Sequence, residues 1–344
     1  MRSRTAEGFV PNYGAGGAKS VDRTEPPLAG RVLRQLYAKF NDTWIVEFLL
    51  DDLLDNLDWF WRKRVTPLGL IALGSDPVVN YTGEVGGVGC MQGARWESGL
   101  DNSPMYEAHP PHPWFDNVTH HMEGADVGMS SLFVAEAAAV AALARAVNRS
   151  GDADALDARA GSVRAQISTH LWDDAHGIFV NRFAIGANTS LSSRVSPTSF
   201  YALSAHAATD AQAARMASEW LLNATRFCLS ETWPAGVSPG CFWGLPSISA
   251  DDPAFGGWVS FNANHPAHQK PTPPKNKPEP KPYHPLNPNQ TVLARLRVGA
   301  HGAARLLGAG GIRARPRGRC RKGGAGKAAR GHVPGAVAPA PQCV

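Results

Sequence analysis

The chain has 344 residues, 43% of them hydrophobic, and a net charge of +5. That charge is split: residues 1–255 hold 19 Lys+Arg against 28 Asp+Glu, a net −9, whereas residues 256–344 hold 15 against one, Glu279, a net +14. The basic balance therefore belongs to the tail and the body is acidic, so the overall charge is no argument for nucleic-acid binding by the body. Met1-Arg2-Ser3-Arg4 is followed by no apolar stretch, so no signal peptide is expected in this chain. No membrane span is expected either: the most apolar stretch, Leu132 to Val147, is short and carries Glu136 and Arg145.

Helical periodicity dominates the body. From Ala38 to Arg62, apolar residues at Trp44, Ile45, Phe48, Leu49, Leu53, Leu57, Phe60 and Trp61 follow an i, i+3, i+4 pattern, with Asp42 or Thr43 as its cap. An Ala-rich helix is predicted over Ser130 to Asn148. A second follows over Ala153 to Trp172, with Leu156, Val163, Ile167 and Leu171 spaced for burial. Asn148-Arg149-Ser150-Gly151-Asp152 joins them as a helical-hairpin turn. Phe200 to Ala207 and Ala211 to Leu222 form another pair, and strand patterns are confined to short stretches around Ile178 to Phe183. Paired helices at this spacing suggest a toroid of helical hairpins.

The most informative stretch is Trp96-Glu97-Ser98-Gly99-Leu100-Asp101-Asn102-Ser103-Pro104. Gly99 and Pro104 interrupt both helix and strand periods, so it reads as a turn. It sets two carboxylates four residues apart beside an indole. An indole offers an apolar face to a pyranose ring, and a carboxyl can bind hydroxyls or protonate a glycosidic oxygen. A solvated acidic turn with a packed Trp is the alternative on chemistry alone.

Trp-Glu-Ser-Gly-x-Asp-Asn-Ser-Pro resembles the signature of the glucosidase I, mannosylglycerate hydrolase and trehalase-like group, chiefly glycoside hydrolase family 63. Other segments resemble that group in the same order: Asp22-Arg23-Thr24-Glu25-Pro26-Pro27, Trp59-Phe60-Trp61-Arg62, Gly74-Ser75-Asp76, Asp126-Val127-Gly128-Met129, Leu171-Trp172-Asp173, Ser196-Pro197-Thr198-Ser199-Phe200-Tyr201, and Phe242-Trp243-Gly244-Leu245-Pro246-Ser247-Ile248. The likeness covers about residues 8–258. It implies an all-α (α/α)6 barrel of about twelve helices. Six or seven are countable here, so the expected domain over 1–258 is an incomplete toroid. It further implies an inverting glycosidase with Asp101 as general acid. Trp96, Glu97, Arg95, Asn102, Trp243, Asp22 and Arg23 are then expected to bind the sugar. The group's general base is a glutamate near the end of its domain, which moves the search for it beyond residue 200, to Glu231, Asp251, Asp252, Asp210, Glu219 or Glu279.

There the sequence changes character. Residues 259–291 are Pro/Lys/Asn-rich, with nine prolines between Pro266 and Pro288, and residues 291–344 contain no acidic residue. The domain is expected to end at Trp258, followed by a disordered tail over 259–344. Val259-Ser260 can be encoded as an intron donor and Thr291 as an acceptor. Read one base later, Val292 to His301 permits Tyr-Trp-Arg-Gly-Ser-Val-Trp-Ala-Pro-Thr. That string is similar to the segment the family carries after Asp-Pro-Ala-Phe, here Asp252-Pro253-Ala254-Phe255. The expectation is a retained intron of about 100 nucleotides followed by a frameshift, with the base not encoded and the hydrolase impaired.

Seven Asn-x-Ser/Thr sequons, at Asn41, Asn80, Asn117, Asn148, Asn188, Asn223 and Asn289, against roughly two expected by chance, favour a secretory origin for the gene product. Cys228 and Cys241 flank a Pro/Gly-rich loop and are candidates for a disulfide. His109, His112, His120 and His121 cluster after the turn, but no Cys or acidic partner stands at a zinc-like spacing, so no metal or other cofactor is expected. Three functional readings result: a glycosidase on an α-glucoside or α-mannoside, an inactive carbohydrate-binding remnant, or a nucleic-acid binder using the 11 Arg/Lys between Arg295 and Arg330.

Overall fold

A computed structural model describes residues 4–15, 18–78, 88–107, 115–185, 188–228 and 244–255. Within them the body is helical. α1 spans Ala29–Phe40, α2 Thr43–Lys63, α3 Met91–Glu97, α4 Val127–Ala146, α5 Ser150–His170, α6 Tyr201–Ser204 and α7 Asp210–Arg215. α7 passes directly into a π-helical turn, Met216–Leu221. The strands are two to four residues long and form small antiparallel pieces, the largest joining Gly124–Ala125, Arg182–Ile185 and Asn188–Leu191.

α4 is the organising element because it is apolar on nearly every side, as a helix enclosed by others must be. Phe133, Val134, Ala137, Val140, Ala141 and Ala144 are all buried, and α5, α1, α2 and α6 pack on it. α4 is also the one described helix long and apolar enough to cross a membrane by length and composition, and it is mostly buried inside the protein. Small side chains let α5 approach closely. The hairpin turns at Asn148, whose φ of +62° is the left-handed conformation Asn tolerates.

The periodic stretch read as one helix from Ala38 is two. Asn41 takes φ +54° and ends α1, and α2 starts at Thr43 with Asp42 as its cap residue. α1 itself carries Leu33 and Gly30 against α4, and its start is fixed from across the core. Buried Glu136 accepts from the backbone N–H of Gly30 and, at 3.0 Å, of Arg31. A carboxylate at a helix N-terminus meets both the orphan amides and the positive end of the helix dipole. Gly30 has no room for a side chain, since a Cβ would lie 2.4 Å from Val140 Cγ2.

The start of α4 is tied to the turn that follows α3. Asp126 caps α4 through Met129 N (2.7 Å) and accepts from Tyr106 Oη (2.9 Å) and Asn181 Nδ2 (3.1 Å). Burial keeps the Asp126 carboxyl above its ordinary range, and these donors pull against that shift. The 3-10 turn Pro104–Tyr106 is thereby clamped to the end of the central helix, where the loops converge.

Candidate active site

Trp96 and Glu97 were expected in an irregular turn; instead they form the last turn of α3. The helix stops because Gly99 adopts φ +74°, and an added Cβ there would press within 3.3 Å of Pro26 Cγ. Asp101 and Asn102 follow on the exposed crest of the turn. Ser103 closes it: its Oγ accepts from Met105 N (3.2 Å) and donates to Ser247 O (2.7 Å).

Beneath Asp101 lies a buried charge network. Glu97 is fully buried, and four described donors occupy its carboxylate: Arg64 Nε (2.9 Å) and Nη2 (3.2 Å), Thr24 N (3.0 Å) and Gly74 N (2.7 Å). Arg64 also reaches Asp76 (2.9 Å) and stacks 4.6 Å from the Trp59 ring. Burial pushes the Glu97 carboxyl up, and Arg64 and the amides pull it down. Burial works against the Arg64 charge as well, but the carboxylates of Glu97 and Asp76 hold it above its ordinary value. Gly74 must be glycine, because a Cβ would meet Arg64 Cζ at 2.8 Å and His121 Cδ2 at 2.7 Å. Glu97 was expected to bind sugar hydroxyls; in this structure both of its oxygens are taken by protein donors, which tie it under the turn.

Asp22 and Arg23 are likewise buried and paired. Arg23 Nη1 donates to both Asp22 oxygens (3.1 and 2.8 Å), and Ser75 Oγ donates to Asp22 at 2.6 Å. The Arg23 guanidinium lies 4.4 Å from the Trp96 ring, covering one face of the half-buried indole. These two residues thus position Trp96. Arg95 donates weakly to Ser103 O (3.4 Å), and its buried Nε has no hydrogen-bond partner among the described residues. Trp243 lies outside the described residues.

The sequence reading missed Glu25, although it stands in the quoted Asp-Arg-Thr-Glu-Pro-Pro motif. Asn12 Nδ2 bridges Glu25 Oε1 (2.9 Å) and Trp96 O (3.2 Å), setting Glu25 beside the turn. Its carboxyl is raised, by burial first and then by the negative charge of Asp101. Asp101 and Glu25 are therefore electrostatic neighbours next to Trp96.

Three of the carboxylates that were candidates for the base are engaged by arginines, one of which, Arg194, also donates to Pro104 O at the end of the turn. Asp251 accepts from Arg226 Nε (2.8 Å), Asp252 lies 3.9 Å from Arg194, and Glu219 pairs with Arg215 (2.8 Å). Asp251 and Asp252 line a cavity of about 410 Å³ with Trp220, His176, Arg194 and Arg226; Asp101 is not among its lining residues. Glu231 and Glu279 lie outside the described residues. Of the four histidines, His109 and His112 also lie outside. His120 Nδ1 is 3.1 Å from Gly89 O, and His121 Nε2 is 3.3 Å from Arg64 Nη1. Among the described residues no three His, Cys, Asp or Glu side chains are grouped to hold a metal ion. Cys228 is disulfide-bonded, as is Cys90, and Cys241 lies outside the described residues.

Comparison with known proteins agrees with this architecture. The model of the mannosylglycerate hydrolase MGH1-like glycoside hydrolase domain matches residues 1–261. A GH63 mannosylglycerate hydrolase from Thermus thermophilus, solved in complex with glucose, superposes with a TM-score of 0.50 at 18% identity, covering 73% of this chain and 67% of that one. An uncharacterized conserved protein from the same organism gives 0.50, 18%, 73% and 66%. At that identity the likeness speaks to the fold: helical hairpins of the (α/α)6 type. Among curated proteins, none matches this chain. The family match spans three quarters of the chain and contains the turn, its anchor and the capped central helix, so the chain belongs to the mannosylglycerate hydrolase MGH1-like glycoside hydrolases.

Proposed function

We propose that the body is the acid half of an inverting glycosidase site acting on an α-glucoside or α-mannoside, with Asp101 as general acid. One observation carries the reading: Asp101 is an exposed carboxylate on a rigidly anchored turn, beside the half-buried Trp96 and a second carboxyl, Glu25. In an inverting reaction the acid protonates the departing glycosidic oxygen as water attacks the anomeric carbon from the opposite face, and a second carboxylate takes that water's proton. Trp96 would carry the apolar face of the ring, and Asn102 and Arg95 Nε would meet hydroxyls or an anionic aglycone.

Asp251 and Glu219 are each tied to an arginine and Asp252 faces Arg194, so none of the three stands free to act as a base; this supports placing the base in a segment this reading frame does not encode. The 344-residue chain is then a sugar binder with little turnover. The tail over 259–344 is proposed to derive from a retained intron and a shifted frame, and the sequons to reflect a secretory gene product. The test is a transcript read across the Trp258–Val292 junction, together with hydrolysis of α-mannosyl and α-glucosyl glycerate by the chain in both frames. Activity confined to the restored frame is expected. Equal activity in both frames contradicts the assignment of the base.

A further inference from the structure

Six large apolar side chains along one edge of the helical body face water. They are Leu28, Val32, Leu36 and Phe40 on α1 and its cap, and Trp44 and Phe48 on the first turns of α2, each between 41% and 65% exposed. On α1 and its cap residue the spacing is four, the row that forms a ridge on a helix surface, and Trp44 and Phe48 repeat it on α2 beyond the break at Asn41. The opposite row, with Leu33, Val46, Leu50 and Leu53, is buried against the core. Both helices are therefore apolar on two sides, and the fold uses one. At these exposures the three aromatics alone leave roughly 300–450 Å² bare, given side chains of about 150–250 Å². A monomer seldom shows more than a few hundred, and about 800 Å² per partner makes a stable interface. The aliphatic members and the stems of Lys39 and Glu47 bring the patch close to that size.

Charge says what fits there. α1 has no acidic residue and exposes Arg34 and Lys39; the opening of α2 exposes Glu47, next to its cap Asp42, and has no basic residue before Arg62. An acidic partner would suit α1 alone, and a basic one the start of α2 alone. A two-fold axis laying α1 of one copy across the start of α2 of the other pairs opposite charges twice and interleaves the two ridges at about −50°.

We propose that this ridge is the isologous interface of a homodimer of the chain. Sedimentation of the 344-residue protein between about 1 and 100 µM tests it, a range in which an interface of this size associates. A dimer is expected, weakened at least tenfold by Phe40→Lys and separately by Trp44→Lys, and unchanged by Val118→Lys, a substitution of an 86% exposed residue elsewhere. The two weakening variants lie on different helices, so a folding failure in one, seen by circular dichroism, leaves the other decisive. Lys39, whose ammonium lies over the Phe40 ring, gives the charge test: Lys39→Glu and Glu47→Lys should each weaken self-association, and mixing the two variants should restore a heterodimer. A monomer at the highest concentration, a dimer indifferent to both lysine substitutions, or a mixture that stays apart would overturn the proposal.

Discussion

Removing the Glu97 carboxylate tests whether it anchors the turn or faces a ligand. In Glu97→Ala, Arg64 loses two of its hydrogen bonds and keeps Asp76, while the amides of Thr24 and Gly74 lose their acceptor. Breaking a buried pair by removing one partner costs about 3–5 kcal/mol, because the remaining charge stays desolvated. For a body of this size each kcal/mol is about 2–4 °C, so the melting temperature should fall by about 6–20 °C. Glu97→Gln keeps the shape but not the charge, and should fall between the variant and the parent. Arg64→Met combined with Glu97→Gln should be less damaging than the sum of the two, since neither charge is then left alone. The assay is thermal and urea unfolding followed by circular dichroism. A Glu97→Ala protein within about 1 kcal/mol of the parent that has lost sugar binding would refute the anchoring argument and return Glu97 to the ligand.

Other outcomes follow from the same geometry. Asp101→Asn in the restored frame should keep stability and lose about 10²–10⁴-fold in kcat, measured on a natural glycoside. The same substitution should bring down the Glu25 titration midpoint, followed by carboxyl NMR, because it removes the negative charge that raises it; burial keeps it above the ordinary value. His121 is pushed down to about 4, by burial first and then by Arg64. Its unfolded form protonates near 6.5, so its contribution is intact above that pH and lost as pH falls from about 6.5 towards 4. After allowance for solvent screening this is about 1–2 kcal/mol, and His121→Gln should abolish that part of the acid slope in urea unfolding. Gly30→Ala should cost about 1–3 kcal/mol by overpacking against Val140, read from the same unfolding curves.

The long helices were legible because their signal is periodicity. α4 and α5 begin and end within a few residues of the expected limits, and the hairpin turn falls at Asn148. The break at Asn41 was half legible: Asp42, read as a cap, does stand at the start of α2, but apolar residues continue in register across it, and the stop of α1 is marked only by an Asn able to take positive φ. α3 was hidden by its length: seven residues with Gly93 inside and Gly99 after give little period to read. At the site, composition identified the turn but not its internal division of labour. Whether a carboxylate faces solvent or an arginine depends on Arg64, Gly74 and Thr24, which are distant in sequence, so Glu97 was expected on the sugar although protein donors hold both its oxygens. Glu25 was visible within its motif, but the Asn12 bridge that sets it beside Trp96 was not.

The central claim is that Asp101 is the acid of an inverting glycosidase, and the product's first anomer tests it most directly. α-Mannosylglycerate is incubated with the restored-frame protein, and released sugar is followed by proton NMR faster than it mutarotates. Inversion predicts β-mannose as the first product, with Asp101→Asn abolishing its appearance. First release of α-mannose, or undiminished release by Asp101→Asn, would contradict the account.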